Sequence, residues 1–292
     1  MTLLPYRVVD VFATEALAGN PLAVFTQASE IDEVVMQKIA REMNLAETTF
    51  VLPAENPDCV AWVRIFTPKK EMVFAGHPTI GTSFVLRDAG ILPTNCESFC
   101  LEEKVGPVEI WIEDGERPMI WLRTPQISQG QFYQRSVCAS ALGLEIHDLL
   151  DLDPQLLDAG NPTLFMALTN KEAVDRAWID AQGMRSLKSE KAEPFCVFVF
   201  SPTGEGAYSR MFAPEYGVPE DPATGSSTGP LALFMMTHGL MAGASGTRFI
   251  SEQGTKMERR SILHVRIAGD QGADGIYVGG HVTPVAEGTM KL

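Results

Sequence analysis

Short runs of apolar residues, some alternating with polar ones at a period of two and some continuous, recur along the chain. Residues 6–12, 22–26, 48–52, 60–66, 98–102, 107–112 and 118–123 therefore read as strands. Two stretches between them follow the longer helical period. Over residues 30–42 the apolar positions are Ile31, Val34, Val35, Ile39 and Met43, with Ser29 placed to cap the helix and Asp32 in its first turn. Over residues 78–89 they are Ile80, Phe84, Val85 and Leu86. The second half runs through a similar series, with strands at 163–168, 195–200, 208–212, 247–251, 262–267 and 275–279 and a helix over 225–239. That last helix carries Leu231, Leu233, Phe234, Met235 and Met236 with almost no charge. A helix apolar on most faces is a buried helix. Strands around one buried helix predict a barrel-like wrap, and the pattern occurs twice.

The two series share words as well as rhythm. Gly19-Asn20-Pro21 recurs as Gly160-Asn161-Pro162, and Ile31-Asp32 as Ile179-Asp180. RIFTP at 64–68 recurs as RMFAP at 210–214, and GHPTIG at 76–81 is matched in position by DPATGSS at 221–227. LEEKVG at 101–106 is echoed by ISEQG at 250–254, and Thr124-Pro125 by Thr283-Pro284. Six short matches in one order indicate an ancestral duplication. The expected domains are 1–126 and 130–282, joined through the polar stretch 126–135, with 283–292 packing back on the first. The crevice between them is the expected ligand site.

Composition narrows the function classes. The chain has 292 residues and a net charge of −14, which removes the electrostatic footprint of a general nucleic-acid binder or of a protein held on anionic membranes. No apolar run approaches the ~20 residues of a membrane helix. The first strand, with Arg7 and Asp10 inside it, does not read as a signal peptide. Five cysteines (Cys59, Cys96, Cys100, Cys138 and Cys196) form no disulfide framework, which points to a reducing cytoplasm. Cys96 and Cys100 lack a second ligand pair, and HExxH and HxxxH spacings are absent, so no metal site is expected. No P-loop, GxGxxG after the first strand or GxSxG elbow occurs.

Three titratable residues stand out by position. Glu47 precedes a strand, His77 opens the first buried helix, and Asp221 opens the second. Each also has an ordinary structural role open to it: Glu47 as a solvated helix-end carboxylate, His77 as a satisfied loop histidine, Asp221 as a turn or cap residue. Glu193 stands as far before Arg210 as Glu47 does before Arg64, so one of these two glutamates is expected to be structural. In the repeat His77 and Asp221 are partners, which sets the two helix N-termini face to face. The small residues there (Gly76, Gly81, Gly225, Ser226 and Ser227) would expose backbone N–H groups to an anion. His147, His238, His264 and His281 lie in contexts that call for no special role.

DVFATEALAGNPLAVF at 10–25, NLAETTFV at 44–51, RIFTP, FAGHPTIG at 74–81 and RMFAPEYGVPEDPATGSSTGP at 210–230 together resemble the PhzF-like family, within the diaminopimelate-epimerase-like fold. The resemblance implies an α+β protein of two pseudo-symmetric domains, each a mostly antiparallel barrel-like sheet around a central helix. It implies a cofactor-free isomerase, cytoplasmic and homodimeric, that moves a proton on a small carboxylate-bearing substrate. By motif, Glu47 takes the general acid/base role, and His77 and Asp221 assist it in the pocket. Asn20, Gly76, Thr224, Gly225 and Ser226, in the same motifs, are the substrate-binding candidates. Where the family often has Ser before the glutamate, this chain has Ala46. The epimerase cousins place cysteines at the two helix entries; here His77 and Asp221 stand there, which disfavours a two-thiol racemase. An amino-acid epimerase using Glu47 and Asp221, and a non-catalytic binding relative, are the alternative readings.

Overall fold

The computed structural model describes residues 2–188, 193–268 and 275–292. In the first half, β1 (Leu3–Val11), β2 (Asn20–Phe25), α1 (Glu33–Met43), β3 (Glu47–Leu52), β4 (Ala61–Phe66) and β5 (Glu71–Met72) lead to the central helix α2 (Gly76–Asp88). β6 (Ser98–Glu103), β7 (Gly106–Glu113) and β8 (Met119–Arg123) follow it. The second half opens with β9 (Ser128–Phe132), α3 (Arg135–Ala141), β10 (Gln155–Asp158), β11 (Thr163–Ala167), α4 (Lys171–Arg176) and α5 (Ala181–Leu187). Then come β12 (Cys196–Thr203), β13 (Gly206–Ala213), β14 (Val218–Asp221), the second central helix α6 (Gly225–Thr237), β15 (Arg248–Gln253), β16 (Ser261–Ile267), β17 (Ile276–Gly280) and β18 (Val282–Lys291).

The strand pairings of one half repeat in the other. β2 runs parallel to β3, which pairs antiparallel with β4; β4 pairs antiparallel with β5 and parallel with β6. β11, β12, β13, β14 and β15 reproduce those relationships in the same order. The meander β6-β7-β8 has its counterpart in β15-β16-β17. β8 pairs with β17 and closes the two halves on each other, while β18 returns along the whole of β1. The fold is thus α+β and pseudo-symmetric: the described strands form one hydrogen-bonded sheet of 18 strands that makes two mostly antiparallel barrel-like halves.

α2 lies against β1, β2 and β8, and α6 against β16 and β17. Every residue of α6 from Gly225 to Met235 is buried, which is why its sequence shows no polar face. A single apolar cluster runs through both halves, from Val9 and Leu22 to Leu263 and Val278. Each barrel also carries an outer layer: α1 on Phe25, Phe50 and Phe66, and α3 to α5 on Val197, Val199 and Phe212.

Several expectations are corrected. Asp32, not Ser29, caps α1, its side chain accepting from the Val35 amide. Its later start turns Val34 out to 62% exposure and makes Met36, Ile39 and Ala40 the buried face. α2 begins at Gly76, two residues earlier than periodicity suggested, so His77 belongs to the helix. The stretch 126–135 is no mere linker, because 128–132 forms β9 and pairs with β10. α3, α4 and α5 run only six or seven residues each, too short for a period to show. The cysteines do form a bridge: Cys59 and Cys100 are a disulfide, their Cα atoms 4.5 Å apart. The parallel pairing of Ala61 with Leu101 sets the two residues side by side, a neighbourhood that no local spacing reveals. The cysteine argument for a reducing compartment is lost with it. Among the described residues no helix is long and apolar enough to cross a membrane.

Candidate active site

The two central helices meet N-terminus to N-terminus. A Cβ on Gly76 would stand 2.6 Å from the Gly225 carbonyl carbon and the Ser226 nitrogen, so only glycine permits the approach. Neither helix has a side-chain cap, which leaves first-turn N–H groups available to an anion. Beside this junction lies a cleft between the two halves.

The pairing registers show how the repeated pattern builds the cleft. Ile65 and Met211 occupy one position of the repeated RxFxP motif. Ile65 pairs with Thr49 and with Met72; Met211 pairs with Phe198 and with Asp221. Counting along the strands, the structural mate of Glu47 is Cys196, and that of Asp221 is Met72. The helix starts match Gly76 with Gly225 and His77 with Ser226. All eight residues line the cleft. Two sequence pairings are therefore corrected: His77 and Asp221 are not mates, and Glu193 is exposed rather than the counterpart of Glu47. Register and bulges shift the count within each strand pair, which equal distance along the chain cannot show. Each half thus contributes one cleft carboxylate, and the two stand at non-equivalent positions of the repeated frame.

The repeated arginine has a plain role. Arg64 donates through Nε and Nη2 to Glu71 at 2.7 and 2.6 Å, and Arg210 donates likewise to Glu220 at 2.8 Å for both contacts. Each glutamate directly precedes a cleft residue, Met72 or Asp221, so each ion pair fixes the short strand that presents it.

Glu47, at the start of β3, turns into the cleft with Oε2 3.3 Å from His77 Nε2. The two atoms are misaligned for a hydrogen bond, and both are buried without a hydrogen-bond partner. Burial, then the charge of Asp221, holds the Glu47 carboxyl well above the usual carboxylate range. Asp221 ends β14 and is better served. Asn20 Nδ2 donates to its Oδ1 at 2.7 Å, and the Thr224 hydroxyl donates a short bond to Oδ2. Burial still raises its pKa, with these two bonds opposing the rise. Burial lowers His77 to about 3, so its ring is neutral at physiological pH.

Of the eight residues singled out from sequence, Glu47, Gly76, His77, Asp221, Thr224, Gly225 and Ser226 line the cleft directly. Asn20 lies behind them, its amide nitrogen facing Asp221, the Ala223 carbonyl at 2.9 Å and His77 Nδ1 at 3.1 Å. Sequence reasoning missed Asn161, Cys196, Tyr216 and Met211 as cleft residues. It also missed Gln253, which holds the Asp221 loop. The repeated GNP word carried the signal for Asn161, and ISEQG that for Gln253. Cys196 and Tyr216 had none. Among the described residues no cluster of three or more His, Cys, Asp or Glu side chains is arranged to hold a metal.

Two barrels whose central helices oppose their N-termini beside a buried carboxylate pair define a protein of the diaminopimelate-epimerase-like fold class. The model for phenazine biosynthesis-like proteins matches residues 9–288, and the chain belongs to that family. An uncharacterized isomerase of Mesorhizobium japonicum is 36% identical, with 98% of each chain covered. The trans-2,3-dihydro-3-hydroxyanthranilate isomerase of Pseudomonas aeruginosa is 33% identical, covering 98% of this chain and 99% of its own. Among solved structures, a PhzF-family phenazine biosynthesis protein of Bacillus anthracis superposes with a TM-score of 0.89 at 26% identity over all of both chains. A probable proline racemase of Agrobacterium radiobacter shares the fold alone, at 13% identity and a TM-score of 0.69, covering 99% of this chain and 93% of that one.

Proposed function

We propose that this protein is a cofactor-independent isomerase that moves a proton on a small carboxylate-bearing metabolite, with Glu47 as the acid/base. One observation carries the reading: a carboxyl with no hydrogen-bond partner on Oε2, raised by burial and by a second carboxylate, faces a cleft where two uncapped helix N-termini converge. A carboxyl that holds its proton this firmly is a stronger base when ionised and can still return the proton. The first-turn N–H groups near Gly76, His77, Gly225 and Ser226 suit a substrate carboxylate and the negative charge that develops as the proton leaves. Neutral His77 beside Glu47 adds a polar partner without a competing charge. Isomerase names among relatives with nearly full coverage support the same class.

The asymmetry of the cleft favours one shuttle over two opposed bases. A racemase needs a second base across the substrate, and the mates of Glu47 and Asp221 are Cys196 and Met72. A thioether is no base, and burial pushes the Cys196 thiol far up, away from thiolate. The domain limits 1–126 and 130–282 and a homodimer complete the proposal.

The test is a panel of small carboxylates, trans-2,3-dihydro-3-hydroxyanthranilate among them, incubated in D₂O and read by mass spectrometry. The wild type should turn over at least one member with solvent deuterium incorporated, and Glu47→Gln should lose ~10²–10⁴ of that rate. Equal exchange by a folded Glu47→Gln protein would remove Glu47 from the role.

A further inference from the structure

Gln253 ends β15 with no solvent exposure and holds the Asp221 loop by three bonds. Its Oε1 accepts from the Thr224 amide at 3.1 Å, and its Nε2 donates to the Asp221 carbonyl at 2.7 Å and to Thr224 Oγ1 at 3.0 Å. The last contact fixes a direction. A hydroxyl has one proton, and an amide N–H can only donate. Thr224 Oγ1 therefore receives from Gln253 and must point its own proton elsewhere, and the atom it meets is Asp221 Oδ2. Asn20 donates to the other oxygen. Both oxygens of Asp221 are thus acceptors, an arrangement that suits the ionised carboxylate, whereas Oε2 of Glu47 receives no such bond.

The duplication underlines the choice of amide. Ala61 pairs with Leu101 as Ala207 pairs with Ser251, so the mate of Gln253 is Glu103. Glu103 is buried and reaches only the hydroxyl of Thr79, at 2.5 Å. In the half that carries Asp221, the position holds a group that must donate.

We propose that Gln253 is a positioning residue that sets which of the two cleft carboxyls holds the proton: acting through the Thr224 hydroxyl, it keeps Asp221 ionised and leaves the proton on Glu47. This rests on the reading of Glu47 as the proton shuttle, since it explains how the shuttle is loaded. The groups that face Asp221 are Glu47 on β3, His77 on α2 through Asn20, Cys196 on β12, and Glu220 beside it on β14.

The experiment needs no substrate, so it can fail independently of the isomerase reading. The full-length protein is labelled with ¹³C in the Asp and Glu side-chain carboxyls and titrated by NMR. Asp221→Asn and Glu47→Gln assign the two signals. In the wild type Asp221 should titrate below Glu47. Gln253→Met should raise Asp221, and Thr224→Val should raise it by about one to two pH units, the worth of a hydrogen bond to a charged acceptor. Thr224→Ser, which keeps the hydroxyl, should return it to the wild-type value. Gln253→Leu, which likewise removes the donor without adding a charge, serves if Gln253→Met does not fold. Whichever Gln253 variant folds, its shift should shrink in the Thr224→Val background, where no hydroxyl remains to be turned. Full additivity, an unmoved Asp221, or Asp221 titrating above Glu47 in the wild type would each overturn the proposal.

Discussion

Asn20 Nδ2 lies 2.7 Å from Asp221 Oδ1, although the two residues are 201 positions apart and belong to different barrels. The bond ties the start of β2 to the end of β14 behind the cleft. Asn20→Ala should raise the Asp221 pKa, slow the reaction and lower the melting temperature together. A buried bond to a charged acceptor is worth about 1.5–3 kcal/mol, so a fall in rate of at least tenfold is expected. Asn20→Asp, which sets a third carboxyl against Asp221, should be worse than Asn20→Ala in both assays.

His77 is neutral throughout the working range, its pKa lowered to about 3 by burial. The pH–rate profile should therefore carry no limb near 6.5 that His77→Asn removes. Histidine NMR offers the direct check: the His77 ring resonances should stay flat between pH 5 and 8. A midpoint inside that range would show the ring to be charged when it faces Glu47.

Glu103 couples stability to pH. Burial raises its carboxyl to about 8, against 4.5 as the unperturbed value. Between those values the folded state binds the proton and the unfolded chain does not. Stability contributed by the protonated carboxyl is present below pH 4.5 and is lost as pH rises through 8. Thr79 Oγ1 sits 2.8 Å from the Ala75 carbonyl as well as 2.5 Å from Glu103, and one proton cannot serve both, so a protonated Glu103 supplies the second. Glu103→Gln should accordingly unfold at a higher temperature than wild type at pH 8.5, with the difference shrinking at pH 5. Parallel melting curves with a constant gap would refute the linkage.

Arg259 locks the turn that delivers Asn20. It donates to Asp10 Oδ1 at 2.5 Å, to the Ala18 carbonyl at 2.7 Å and to the Gly19 carbonyl at 2.8 Å. Asp10 is almost wholly buried and also accepts from the Leu17 amide at 2.7 Å. Arg259→Met strands that carboxylate without its cation, which should destabilise the fold by about 3 kcal/mol. Arg259→Lys keeps the charge but loses the fork, and should fall between the two in chemical denaturation.

The two buried helices, the internal repeat and most of the strands are legible in the chain alone. Each of these is written in local periodicity or in repeated words, and burial on all sides of α6 demands an apolar sequence whatever surrounds it. The sequence also drew attention to Glu47, His77, Asp221 and the GNP, GHP and DPATG motifs, because polar residues at the mouths of apolar helices stand out. The tertiary structure alone decided which residues are mates. Glu47 answers to Cys196 and Asp221 to Met72 because strand register and bulges, not distance along the chain, set equivalence. It alone joined Cys59 to Cys100 and pointed the Thr224 hydroxyl at Asp221. Those outcomes depend on parallel pairings and on hydrogen-bond directions between segments far apart in sequence. A local pattern holds no record of which distant strand will lie beside it, nor of which of two buried atoms must donate.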